Sequence, residues 1–203
     1  MNRLIFSLFC TLAALLAGCA STSPSHFYTL SPTAAPAVAS THYVIAVGPI
    51  SVPAAVDRPQ IVIRTGPNQV AFDEFNRWAS PLKGDIARVV AENLAALLGT
   101  SQAAVFPQTM ISEVSYRIVI DVLRFESEPG KAATLAVLWT ASFTKGGLSR
   151  SRRTMITEPT QGGEYADLVA AHSRALGRLS AEIAAAILEM EEYNKDHLRE
   201  KSK

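Results

Sequence analysis

The chain has 203 residues, of which 48% are hydrophobic and 18% are charged, and its formal net charge is +1. This apolar fraction suits one compact domain with a packed core. A charge so close to zero argues against nucleic acid or a bulk anionic surface as the main partner, because both would require an excess of Lys and Arg. Any basic contact must therefore be local.

The N-terminus has a short cationic start at Asn2 and Arg3, followed by an apolar stretch that is too short to span a bilayer. This pattern predicts a secretory signal peptide over residues 1–18 that is removed from the mature protein. The stretch ends in Leu16-Ala17-Gly18-Cys19, which resembles the lipobox of bacterial lipoproteins. The resemblance implies that Cys19 becomes acylated, and three acyl chains would anchor the protein firmly.

The residues after Cys19 predict the membrane to which the lipoprotein is exported. Ala20 and Ser21 follow it, with no Asp beside it. In bacteria with two membranes this resembles the signal for export to the outer membrane, so we expect the periplasmic leaflet of that membrane. The alternative is an ordinary cleaved signal with a cysteine nearby by chance.

The mature chain is expected to depend on its core for stability. Cys10 leaves with the signal and Cys19 is used by the lipid, so no thiol pair is left for an intramolecular disulfide. Loss of residues 1–18 also removes Arg3, which leaves eighteen basic and eighteen acidic residues.

Residues 19–41 are predicted to be a lipidated N-terminus and tether, because Pro, Ala, Ser and Thr dominate without a usable period. Within them lies Phe27-Tyr28-Thr29-Leu30, which we expect to dock on the domain because an exposed cluster of this kind would be sticky. About seven linking residues would then remain, with a reach of about 25 Å. The domain is predicted over 42–193 and a charged tail over 194–203.

Strand patterns follow in chain order from Tyr43. A first run ends at Gly48-Pro49, and a hairpin is predicted from the runs at 60–64 and 70–72 around Gly66-Pro67. After a short apolar run at 103–106, three long runs at 116–126, 132–144 and 150–157 predict an antiparallel meander.

Two segments have the apolar spacing of three and four that is typical of amphipathic helices. The first covers 82–98, with Ser80 as a candidate cap and Pro81 in the first turn. The second runs from about Tyr165 past Met190. The predicted fold is α/β (α+β-like): a single domain with a mixed, mostly antiparallel sheet covered by two main helices.

The sequence lacks the usual local signatures of an enzyme. It has no nucleophile elbow, no His-Glu-x-x-His and no phosphate-binding glycine loop. Four widely separated histidines have no metal-ligand spacing, and His172 is expected to be a core residue. We therefore expect no catalysis, no metal and no cofactor apart from the covalent lipid on Cys19.

Several residues are candidates for partner binding. Arg150, Arg152 and Arg153 could discourage edge pairing of the last strand, or could form a basic clamp for lipid phosphates or an acidic partner. Trp78 beside Arg77 could pack in the core or anchor an interface. Asp57-Arg58 could be a charged turn that holds the next strand, or could contact a partner.

Five blocks carry a resemblance to a known family. They are Phe27-Tyr28-Thr29-Leu30, Val47-Gly48-Pro49-Ile50-Ser51-Val52-Pro53, Asp57-Arg58-Pro59-Gln60-Ile61-Val62, Arg77-Trp78-Ala79-Ser80-Pro81-Leu82 and Arg88-Val89-Val90-Ala91-Glu92-Asn93-Leu94. In order and spacing they resemble the PqiC family, the ABC-type transport auxiliary lipoproteins. The chain departs from the family at Ser80, where an acidic residue is frequent, and at Val56, where Leu is expected.

The resemblance implies a non-enzymatic outer-membrane lipoprotein that works with an inner-membrane ABC transporter and a periplasmic MCE-domain protein in lipid movement and envelope integrity. Outer-membrane lipid is then a further partner, and assembly into a homo-oligomer is possible. Two alternatives stay open. One is a carrier or chaperone that holds a lipid in a groove between the helices and the sheet, and the other is an envelope-assembly scaffold without a transport role.

Overall fold

A five-stranded sheet is the centre of the fold. The computed structural model describes residues 24–107 and 113–201. The sheet contains β2 (Ile45–Ser51), β5 (Ala103–Val105), β6 (Tyr116–Glu128), β7 (Ala132–Phe143) and β8 (Ser149–Pro159), in the order β5-β2-β6-β7-β8. Strands β6, β7 and β8 form the predicted antiparallel meander, whereas β2 runs parallel to both of its neighbours.

A second sheet of three strands lies beside the first. It has the order β1-β4-β3, with β1 (His26–Tyr28) parallel to β4 (Gln69–Trp78) and β3 (Gln60–Gly66) antiparallel to β4. The predicted hairpin is confirmed as β3 and β4, and the mixed α/β class with two main helices is also confirmed. The single predicted sheet is wrong, because the strands divide into two sheets of three and five.

Both predicted helices are present. Helix α1 (Leu82–Leu98) packs on β2 and β5, and α2 (Tyr165–Lys201) packs on β7 and β8 and against α1. Pro81, not Ser80, is the cap residue of α1, and no side chain caps it. The segment predicted as a charged tail from 194 belongs to α2 as far as Lys201.

The core fills the space between the two helices and one face of the five-stranded sheet. Trp139 of β7 is 1% exposed, and its indole N–H donates to Thr154 Oγ1 of β8 at 3.0 Å. Other core side chains from both layers are almost completely buried: Ile86, Val90, Leu94, Ile118, Ile120, Val137, Leu176, Leu179, Ile183 and Ile187. The opposite face of this sheet carries no helix of the described residues.

The N-terminal segment is docked on both helices. Leu30 is 1% exposed, and its N–H donates to the buried Asp85 carboxylate of α1 at 2.7 Å. The Thr29 hydroxyl donates to the same carboxylate at 3.2 Å, and Arg88 Nη2 donates to it at 2.6 Å and to the Leu30 carbonyl at 2.6 Å. The predicted docking of Phe27-Tyr28-Thr29-Leu30 is therefore confirmed.

Residues 31–41 continue over the helices. The N–H groups of Thr33 and Ala34 donate to Asn93 Oδ1 of α1 at 2.9 and 3.0 Å, and the Ser31 N–H donates to Ser173 Oγ of α2 at 3.1 Å. A Cβ at Gly177 of α2 would meet the Thr33 hydroxyl, so a larger residue there would require that hydroxyl to rotate away. Residues 31–34, which the sequence places in the predicted tether, therefore make defined contacts with both helices.

Replacing Asp85 by Ala tests the docking. The variant leaves the Leu30 N–H buried without its acceptor, so we expect the free energy of unfolding to fall by about 1–3 kcal/mol. Proteolytic cleavage within residues 31–41 should also become faster. Urea denaturation and limited proteolysis measure the two effects.

Glu92 provides the matched control, because it pairs with Arg88 at 3.1 Å on the exposed side of the same helix. Glu92→Ala should change the free energy of unfolding by less than about 1 kcal/mol. Equal losses in the two variants would contradict a special role for Asp85.

Candidate partner-binding surfaces

The structure brings together the Asp57-Arg58-Pro59 block and the Trp78-to-Leu82 block. The Trp78 N–H donates to the Pro59 carbonyl at 2.7 Å, and the Ala79 N–H donates to the Tyr28 carbonyl at 2.8 Å. Asp57 pairs with Lys83 of α1 at 2.6 Å. The two blocks line a depression of about 350 Å³ at the start of α1.

Trp78 itself lies in the core. It is 6% exposed and makes edge contacts with the rings of Phe125 and His172, at 6.0 and 6.5 Å between centroids. His172 stacks on Phe125 at 3.9 Å, and its Nε2 lies 2.8 Å from Ser127 Oγ. Trp78 therefore supports the wall of the depression, and too little of its ring is exposed to anchor a partner.

Burial controls the protonation of His172. Desolvation lowers its pKa from 6.5 to about 3, so the imidazole is neutral in the folded protein at neutral pH. The unfolded chain takes up a proton below about pH 6.5, whereas the folded chain takes one up only near pH 3. The unfolded state binds more protons between these values, and stability is therefore lost as the pH falls through this window.

We expect the free energy of unfolding to fall by up to about 1.4 kcal/mol per pH unit below pH 6.5 from this one group. His172→Gln should have a shallower slope between pH 6.5 and 5, although the variant is less stable at pH 7. Urea denaturation across this range measures the slope. His197→Gln, on an exposed part of α2, is the control, and a slope unchanged in His172→Gln would contradict the assignment.

Arg58 and Arg77 lie beside exposed aromatic side chains of the three-stranded sheet. The Arg58 guanidinium lies over the Phe72 ring at 3.9 Å from its centroid. Arg77 Nε donates to the Glu74 carbonyl at 2.8 Å, and its Nη2 lies 3.5 Å from the Glu74 carboxylate. Arg58 also lines the depression, whereas the Arg77 guanidinium is held by Glu74.

The three arginines near the start of β8 do not form one cluster. In the register with β7, Arg152 lies opposite Trp139 and Arg150 opposite Ala141, on the helix side, whereas Arg153 lies opposite Leu138 on the other face. Arg152 accordingly pairs with Glu189 of α2 at 3.2 Å. The single clamp predicted from Arg150, Arg152 and Arg153 is wrong, because side chains alternate along a strand.

A cleft that the sequence analysis missed lies between the β3–β4 hairpin and β6. It has a volume of about 450 Å³ and an apolar wall that includes Val56, Val62 and Val70. Glu126 lies in it, bonded by Arg124 at 2.7 Å and by Arg64 at 2.8 Å. The Arg124 guanidinium, with that of Arg64, holds the pKa of Glu126 below its ordinary value. Arg124 and Glu126 are two apart on a strand, but nothing local in the sequence indicates Arg64.

The described residues show neither a candidate metal site nor a membrane-spanning helix. No group of three or more His, Cys, Asp or Glu side chains gathers there in an arrangement that could hold a metal ion. No helix of residues 24–107 and 113–201 is long and apolar enough to cross a membrane. Cys19, the predicted lipid site, lies outside the described residues.

Solved structures of a protein from Xanthomonas campestris and of an uncharacterized protein share this fold. A crystal structure of protein XCC0632 from Xanthomonas campestris matches 85% of this chain and 99% of its own, with 20% identity and a TM-score of 0.69. A crystal structure of an uncharacterized protein matches 81% and 99% of the two chains, with 21% identity and a TM-score of 0.67. A dodecamer of PelC from Paraburkholderia phytofirmans matches 75% and 96%, with 16% identity and a TM-score of 0.38.

The family itself is shown by the sequence. The model of the ABC-type transport auxiliary lipoprotein component matches residues 28–184, most of the chain. The chain belongs to this family, as the resemblance predicted. No curated protein matches it.

Proposed function

We propose that this chain is an outer-membrane lipoprotein, held in the periplasmic leaflet through acylated Cys19. We further propose that it is an auxiliary subunit that works with an ABC transporter and an MCE-domain protein to move lipid between membranes. The match to the transport auxiliary family over residues 28–184 carries the proposal. The Leu16-Ala17-Gly18-Cys19 motif supports the anchor.

The proposed mechanism is positioning. Asp85 and Asn93 hold residues 29–34 on the helices, so about seven residues separate the docked chain from Cys19. These residues reach at most about 25 Å. The domain thus stays close to the membrane, and a partner that arrives there meets it at a high effective concentration. A modest interface is then enough for stable occupancy.

We place the protein partner on the helix-free face of the five-stranded sheet. Leu138 and Met155 are 46% and 68% exposed there, and Val119 is 37% exposed. In the strand register Leu138 of β7 is a diagonal neighbour of both Val119 of β6 and Met155 of β8. Arg153 lies directly opposite Leu138 and next to Met155 on the same face. An apolar diagonal with a polar and basic border is typical of a transient protein interface.

The structure gives less support to the carrier hypothesis as the sequence suggested it. The space between the helices and the five-stranded sheet is occupied by core side chains such as Leu94, Trp139 and Leu179. Four cavities of the described residues lie at other places. A role in positioning, with assembly into several copies as a further possibility, requires no groove for acyl chains there.

Replacing Cys19 by Ala tests the anchor. We expect the variant to leave the membrane fraction, to incorporate no labelled palmitate and to lose envelope function, because the lipid is its proposed attachment. Cell fractionation, labelling and a detergent-sensitivity assay measure these effects. Cys10→Ala is the control, since Cys10 is removed with the signal. Full envelope function of a soluble Cys19→Ala protein would contradict positioning as the mechanism.

A photoreactive residue at Met155 tests the partner surface. In intact cells we expect it to crosslink to the MCE-domain protein, because the helix-free face is exposed around it. Tyr193, 47% exposed on α2, is the matched control position and should give no such product. Crosslinking to the MCE-domain protein from position 193 and not from 155 would contradict the assignment.

A further inference from the structure

Three phenylalanine side chains are exposed on the three-stranded sheet. Phe27 of β1 is 63% exposed, and Phe72 and Phe75 of β4 are 45% and 44% exposed. We call these three residues the aromatic patch. A single exposed apolar residue is common on a protein surface, but three aromatic rings on two paired strands need a partner.

The strand register brings the patch together. Val62 of β3 lies opposite Phe72 and Gln60 opposite Arg77, so residues 73–76 of β4 bulge out of the ladder with β3. Phe72 and Arg77 are consequently only two strand positions apart on one face, about 7 Å. Phe27 lies opposite Arg77 on the other side. Phe72 and Phe27 therefore flank the position of Arg77 in the register, and Phe75 lies in the bulge.

Two guanidinium groups lie at the patch. Arg58 lies over Phe72, and Arg77 lies between Phe27 and Gln60 in the sheet. Glu74 is the carboxylate beside Arg77.

Two other nearby carboxylates are engaged elsewhere. Asp57 pairs with Lys83 at 2.6 Å. Asp73 accepts from the Tyr165 hydroxyl of α2 at 2.6 Å and from the backbone N–H groups of Phe75 and Asn76. The donors to Asp73 are neutral, so its carboxylate keeps its charge, and the two arginines are balanced by Glu74 and Asp73.

The short chain before β1 limits how far the aromatic patch can lie from the proposed lipid anchor. Phe27 is eight residues after Cys19, so the patch cannot lie farther from the anchored cysteine than about 30 Å. A second exposed apolar group, Val119, Leu138 and Met155, lies on the five-stranded sheet. The aromatic patch is thus the apolar surface that the anchor keeps at the membrane.

We propose that the aromatic patch rests in the headgroup region of the bilayer that holds the Cys19 lipid, with Arg58 and Arg77 on lipid phosphates. Aromatic side chains bury their rings at such an interface, and binding grows with the buried apolar area and with attraction to anionic lipids. Guanidinium groups suit phosphate because they donate two hydrogen bonds in parallel. This contact rests on the proposed function, because it requires the lipid anchor at Cys19. The contact would orient the domain on the membrane.

The test uses the full lipidated mature protein in vesicles of phosphatidylethanolamine and phosphatidylglycerol. Glu74→Cys and Asp121→Cys each replace one exposed carboxylate, the first in the β4 bulge and the second on the helix-free face of β6. Each introduced thiol is the single free one, since Cys19 is acylated, and it carries a fluorophore. Lipids with a nitroxide in the headgroup region should quench the label at 74 and leave the label at 121 almost unquenched.

A second arm replaces Phe27, Phe72 and Phe75 by Ser in the Glu74→Cys protein. Quenching at 74 should fall to the level of position 121, and circular dichroism verifies that the variant is folded. Equal quenching at 74 and 121 in the otherwise native chain would overturn the proposal without any need for the triple variant. Shielding of position 74 from both the lipid nitroxide and iodide in solution would also overturn it, because a second copy or another protein would then cover the patch.

Flotation of the vesicles separates this proposal from the anchor. A protein that does not float with the vesicles lacks the lipid, which contradicts the proposed function. A protein that floats but has no quenching at 74 keeps its anchor and contradicts the patch.

Discussion

The buried carboxylate of Asp85 is the interaction on which the arrangement of the N-terminal half depends. It accepts from the Leu30 N–H, the Thr29 hydroxyl and Arg88, and it lies in the first turn of α1. A carboxylate with several donors can stay buried, because each donor replaces water that it has lost. The same bonds fix the position from which residues 31–41 continue over the helices, past Asn93 of α1 and Gly177 of α2. The point where the chain leaves the domain toward Cys19 is thus set by α1.

This constraint connects the two sheets. Strand β1 pairs with β4 immediately before Leu30 is fixed, and β4 leads through Trp78 directly into α1. The buried ring of Trp78 meets Phe125 of β6 and His172 of α2. The small sheet is therefore held by both helices and by the large sheet. Surfaces at its outer side therefore keep a constant orientation relative to the rest of the domain.

How well the sequence predicts each feature depends on how far apart in the chain the interacting residues lie. The helices and the meander were predicted because their apolar residues repeat within a few positions, a local signal. The parallel pairing of β2 with β6 joins segments about seventy residues apart, and the division into two sheets depends on such pairing. The arginines of β8 were grouped by proximity, although the period of two places Arg153 apart from Arg150 and Arg152. The pairing of Arg64 with Glu126 had no local signal. The family was recognised because whole blocks, rather than single residues, were in order.

The pairing of β1 also determines how the domain responds to mechanical load. A pull on the chain before His26 acts on the N-terminal end of β1, while β4 beside it runs in the same direction. Hydrogen bonds between the strands and those of Leu30, Thr33 and Ala34 would then be strained together, and detachment requires several of them to break at once. Had the chain left the sheet sideways, it could have been peeled off one bond at a time. The N-terminal segment is consequently built to resist detachment under tension, because the load falls on several hydrogen bonds together.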